Sequence, residues 1–190
     1  MLARAASLFA LCILLHALSA VPAAGSDGAP TALHGKTVIL AWSENRTTRK
    51  ADNGQISQAR VVSDFRVYVS DAGRLFTRFT RRNASNGRSN SSSMSPDGDT
   101  QSEGQGSSKL TTHFEGHQLI SENQMRRGAR RIQAEFDNDF RTCTLRVIYG
   151  KESGAPLYHR GMDGRMGYIL ANEVISPKCS VTDGNRVASE

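Results

Sequence analysis

Between residues 36 and 44 apolar Val38, Leu40 and Trp42 alternate with Thr37, Ile39, Ala41 and Ser43, the two-residue period of a half-buried strand. The same period returns at 64–70, where Phe65, Val67 and Val69 face one way and Asp64, Arg66 and Tyr68 the other. Asp71-Ala72-Gly73 then supplies turn chemistry before a strand at 74–81, so the pair is predicted to be a β-hairpin. Alternation places Phe76 and Phe79 on opposite faces, so at least one of them belongs to the core. A second hairpin is predicted from 131–137, with Ile132, Ala134 and Phe136 inward, through Asn138-Asp139 into 140–149, where Cys143, Leu145, Val147 and Tyr149 share a face. Segments 109–114 and 117–123 read as two strands about Glu115-Gly116, or as one continuous strand, and 166–175 reads as the last strand.

No window repeats apolar residues at three, four and seven positions over three turns, so helices should be few. Seven or eight short strands separated by turn residues predict a mainly β protein, a single antiparallel β-barrel or β-sandwich over 25–190. One stretch breaks the pattern. From 83 to 108 the chain is Ser, Asn, Gly, Asp and Gln with only Ala84 and Met94 apolar, too little to offset the entropy of ordering, and a long disordered loop is expected there.

The N-terminus carries Arg4, an apolar run over 5–15 and a small-residue stretch over 18–25, the three parts of a secretory signal peptide. Its apolar run is shorter than the roughly 20 residues that cross a bilayer, and no later stretch approaches that length. A signal at 1–24 implies an exported protein, periplasmic or secreted. Its removal takes away Cys12, leaving Cys143 and Cys179 in an oxidising space, where a disulfide is expected. Thirty-six positions between two cysteines match no zinc spacing.

The chain has a formal net charge of +6, and 19 of its 24 lysine and arginine residues are arginine. They cluster at Arg78, Arg81, Arg82 and Arg88, and again at Arg126, Arg127, Arg130 and Arg131. Guanidinium groups suit bidentate contact with phosphate, sulfate or carboxylate, which makes Arg78, Arg81, Arg82, Arg126, Arg127 and Arg130 the candidate anion-binding residues. The same charge also suits an ordinary solvated surface. Specific nucleic-acid binding would want aromatics interleaved with the basic residues for stacking, and the chain provides few.

Catalytic and cofactor motifs are missing: there is no Gly-x-Ser-x-Gly elbow, phosphate loop or dinucleotide glycine pattern, so no catalytic residue and no cofactor is expected. His113, Glu115 and His117 would share a face of one continuous strand, but neighbours about 6.5–7 Å apart converge poorly on a metal ion, so they are weak metal candidates. His34 and His159 fall in loop-like contexts and read as surface residues, and Gly161 to Gly167 reads as a hairpin loop. Asn-x-Ser/Thr sequons stand at Asn45, Asn83 and Asn90.

A signal peptide, a first strand with Trp42, the hairpin from Phe65 to Phe79, the segment Phe136-Asp137-Asn138-Asp139-Phe140-Arg141-Thr142-Cys143 and a distal Cys179 together resemble small exported bacterial β-rich proteins of uncharacterised function. That resemblance implies no activity and brings no catalytic residues. Lipocalin-like barrels also begin with a Gly and a Trp, separated by one residue, whereas six separate Gly35 from Trp42, and no ligand pocket is carried over. The expectation is therefore an exported, non-enzymatic β-domain binding an anionic glycan, a lipid head group or a protein. The alternative is a small-ligand carrier or hydrolase with its site in the barrel mouth.

Overall fold

A computed structural model describes residues 28–94, 110–125, 127–151, 157–161 and 164–187. The expected signal peptide at 1–24, Arg126 and residues 95–109 lie outside them. Ten strands run through the described residues: β1 Lys36–Lys50, β2 Ile56–Val69, β3 Leu75–Asn83, β4 Ser89–Met94, β5 Leu110–Glu115, β6 Gln118–Met125, β7 Gly128–Phe136, β8 Cys143–Lys151, β9 Leu157–Arg160 and β10 Met166–Asp183. Six of them form a curled half-barrel sheet in the order β4-β3-β2-β1-β10-β9, and four form a second sheet, β5-β6-β7-β8. The fold is mainly β, as the alternation requires, and its only described helical piece is a three-residue 3-10 turn at Thr31–Leu33.

The expected inward faces pack together. Val38, Leu40 and Trp42 from β1, Phe65, Val67 and Val69 from β2, and Leu75 and Phe79 from β3 meet Phe114, Leu119, Ile132, Ala134, Phe136 and Leu145 of the second sheet. Phe79 is the inward phenylalanine; Phe76 lies on the opposite face beside Tyr68, with ring centroids 6.1 Å apart. Gly73 closes the β2–β3 hairpin at φ +75°, a conformation that disfavours side chains. Cys143 of β8 and Cys179 of β10 form the expected disulfide, with Cα atoms 5.5 Å apart, and tie the two sheets together along one seam.

Several elements differ from the sequence expectation: β1 runs to Lys50 rather than stopping at Glu44, and β2 begins at Ile56 rather than Asp64. The polar stretch 83–108 is not wholly a disordered loop: Ser89–Met94 is strand β4, paired antiparallel with Thr77 to Arg82 of β3. A strand needs main-chain partners rather than apolar side chains, and the turn before it is built by Asn83 and Asn86, whose Oδ1 atoms accept the N–H groups of Ser85 and Arg88. The last strand does not stop at 175 but runs to Asp183. Ser176 and Pro177 stand opposite Trp42 as a two-for-one bulge, which accommodates proline's missing N–H, and pairing resumes at Lys178. The strand expected to begin at 140 begins at Cys143, because Phe140 sits in the turn at φ +55°. His159, expected on a loop, belongs to β9.

Candidate functional site

The inner faces of the long strands change character at one level. Along β1, Val38, Leu40 and Trp42 are followed by buried Glu44 and Arg46, then by Thr48 and Lys50. On β3, Phe79 gives way to Arg81; on β7, Ile132 gives way to Arg130; on β8, Val147 gives way to Tyr149. The registers Arg130↔Tyr149 and Ser63↔Arg81 align these positions, so a polar layer spans both sheets above the apolar core.

Glu44 organises that layer. Trp42 Nε1 donates to its Oε1 at 2.6 Å, the Tyr149 hydroxyl donates to the same oxygen at 2.7 Å, and the Arg46 guanidinium pairs with Oε2. Arg46 Nη2 also donates to the Tyr149 oxygen at 3.1 Å. Burial pushes the Glu44 carboxyl up, but the Arg46 charge and the hydrogen bonds from Trp42, Tyr149 and Arg46 outweigh it and hold the carboxyl below its ordinary value. Burial raises the Tyr149 phenol, so it stays protonated and keeps its donor role. Desolvation works against the charge on Arg46, but Tyr149 and Glu44 more than offset it, and Arg46 stays fully charged.

Among the described buried residues Glu44 is the one carboxylate, against three arginines, Arg46, Arg81 and Arg130. Arg130 lies over the Phe79 ring at 4.4 Å and Arg81 approaches the same ring at 5.7 Å, while Trp42 stacks on Phe79 at 5.9 Å. The Nε atoms of Arg46 and Arg130 are buried and make no hydrogen bond to the described residues.

Above this layer, on the concave face of the six-stranded sheet, lies a cavity of about 370 Å³. Arg46 and Arg81 form its inner end; Arg49 and Lys50 of β1, Arg88 before β4, and Arg160 and Arg165 of the β9–β10 hairpin line the rest. Thr48, Ser57, Gln58, Asn83, Ser85 and Asn86 fill the spaces between the cations; no carboxylate is among the described lining residues, and the nearest to Arg165 is Asp52, 3.8 Å from its Nη1. Phe65, Val67, Phe136, Leu145 and Val147 pack the core below and leave this end of the interior open.

The arginines singled out in the sequence are thus separated. Arg81 and Arg130 turn inward into the polar layer instead of forming a surface patch. Arg78 and Arg82 face outward from β3, Arg78 Nη1 donating to the Val187 carbonyl at 3.4 Å, and Arg127 is exposed in the β6–β7 turn at φ +71°. Arg126 lies outside the described residues. Of the metal candidates, His113 pairs with Glu115 at 2.9 Å, while Gly116 turns the chain and sends His117 onto the Phe140 ring at 4.7 Å. Strands β5 and β6 form a hairpin here, and no group of three His, Cys, Asp or Glu among the described residues is placed to hold a metal ion. Sequence reasoning missed Arg46, Arg49, Lys50, Arg160 and Arg165. For Arg46 and Lys50 the signal was present: the alternation of β1 continues through Glu44, Arg46, Thr48 and Lys50, with polar residues on the inner face.

No protein-family model, curated protein or solved structure matches this chain.

Proposed function

We propose that this protein is an exported, non-enzymatic β-domain that binds an anionic envelope or extracellular partner, and that the partner's charged groups enter the basic cavity at the open end of the half-barrel. The observation that carries this reading is the cavity lining, seven cationic side chains with no carboxylate among the described lining residues; Glu44 pairs with Arg46 and Asp52 lies 3.8 Å from Arg165, which leaves cations in excess. Arginines so arranged in a concave, partly desolvated space attract and orient anions far better than the same charges spread over a convex surface. Support for export comes from the three-part N-terminal pattern and from the Cys143–Cys179 disulfide, which persists in oxidising compartments. A small-ligand carrier or hydrolase, the alternative reading, would use the same cavity.

The test is heparin affinity. Arg88→Glu with Arg160→Glu, both at exposed positions, should weaken binding about tenfold with the melting temperature unchanged within about 2 °C. Arg82→Glu with Arg127→Glu, on surfaces away from the cavity, should leave retention nearly as it was. Equal losses from the two pairs would contradict a cavity site and favour a diffuse surface charge.

A further inference from the structure

We infer that the ligand of this cavity is a polyhydroxylated polyanion, a sulfated or phosphorylated saccharide unit. This rests on the anion-binding reading above and narrows it.

Three observations select that chemistry. The cations come from separate parts of the wall: Arg49 and Lys50 from the end of β1, Arg88 from the turn before β4, Arg160 and Arg165 from the β9–β10 hairpin. Side chains on opposing walls of a 370 Å³ space are matched by several anionic groups set apart on one scaffold rather than by a single compact anion. Next, the positions between them carry hydroxyls and amides, which both donate and accept as sugar hydroxyls do. Two of these amides are already oriented. The Oδ1 atoms of Asn83 and Asn86 accept main-chain N–H groups of the turn, so each amide offers a ligand its NH₂ as a donor. Finally, His159 is the one ring among the described lining residues, which therefore offer few of the stacking platforms on which nucleic-acid bases are held. Its volume falls at the small end of ligand pockets, room for one or two sugar rings.

The experiment is isothermal titration of the mature, disulfide-bonded protein with four probes: a fully sulfated heparin disaccharide, its desulfated counterpart, inorganic tripolyphosphate and a short single-stranded oligonucleotide. The sulfated disaccharide should bind one to one, about tenfold tighter than tripolyphosphate and tighter still than the desulfated sugar. Gln58→Ala with Ser85→Ala, both exposed cavity residues, should weaken the disaccharide about fivefold and leave tripolyphosphate unchanged, which reports that the cavity is intact. Tripolyphosphate binding as tightly as the disaccharide, or the oligonucleotide binding tightest, would overturn the saccharide inference while leaving anion binding standing. Failure of all three anionic probes would overturn both.

Discussion

Glu44 and Arg46 are two residues apart on one strand face, Glu44 fully enclosed and Arg46 reaching only the inner end of the cavity, an arrangement that ordinary core chemistry avoids. Desolvating both ions is costly, and the cost is offset here because every oxygen of Glu44 has a donor: Trp42, Tyr149 and Arg46. Removing the carboxylate would leave Arg46 buried without its counter-charge. Glu44→Ala should therefore destabilise the protein by about 3–5 kcal/mol, read from urea midpoints. The pH dependence has a fixed sign. Because the folded carboxyl titrates below the ordinary glutamate value of 4.5, its ionised form stabilises the fold above that pH, and the contribution is lost as pH falls through the folded value. The stability gap between wild type and Glu44→Gln should shrink on acidification below pH 4.5, and a gap independent of pH would contradict the assignment. Asp137 shows how a carboxylate in a suggestive motif can be structural. The Thr142 hydroxyl, with main-chain N–H groups of Arg141 and Thr142, holds it ionised as the cap of the Phe140 turn.

At the scale of elements, what could be read from sequence was whatever alternation reports directly. Strand faces such as Val38/Leu40/Trp42, Phe65/Val67/Val69 and Ile132/Ala134/Phe136 were legible because burial imposes period two on side chains. Strand β4 was not, since Ser and Asn contribute nothing to an apolar period and the pairing with β3 is made by the main chain. The inner positions of β1 beyond Trp42 escaped for the complementary reason: polar residues on both faces look like the end of a strand, although they continue it into a polar interior. Arg160 and Arg165 belong to the site only because β9 pairs with β10, a contact that local pattern does not announce. Two element-level tests follow. Cys143→Ser with Cys179→Ser should cost about 3–4 kcal/mol, since the bond closes a separation of 36 residues and joins the two sheets. An unchanged melting temperature would show that packing alone holds the seam. Gly128→Ala should also destabilise, because a Cβ there would run into the Gly150 carbonyl oxygen and Leu157 Cδ2.

The whole molecule divides its interior along the strand axis into an apolar lower part, a polar layer centred on Glu44, and a basic cavity at the open end. Binding governed by that cavity should weaken several-fold as salt rises from about 50 to 200 mM, as screening shortens the reach of its charges. The most direct test is an NMR titration of the arginine side-chain Nε–H resonances with the sulfated disaccharide. The Arg46, Arg88 and Arg160 signals should shift together with one saturation curve, while Arg82 and Arg127 stay in place. Shifts confined to Arg82 and Arg127, with Arg46, Arg88 and Arg160 unmoved, would contradict a binding site inside the half-barrel.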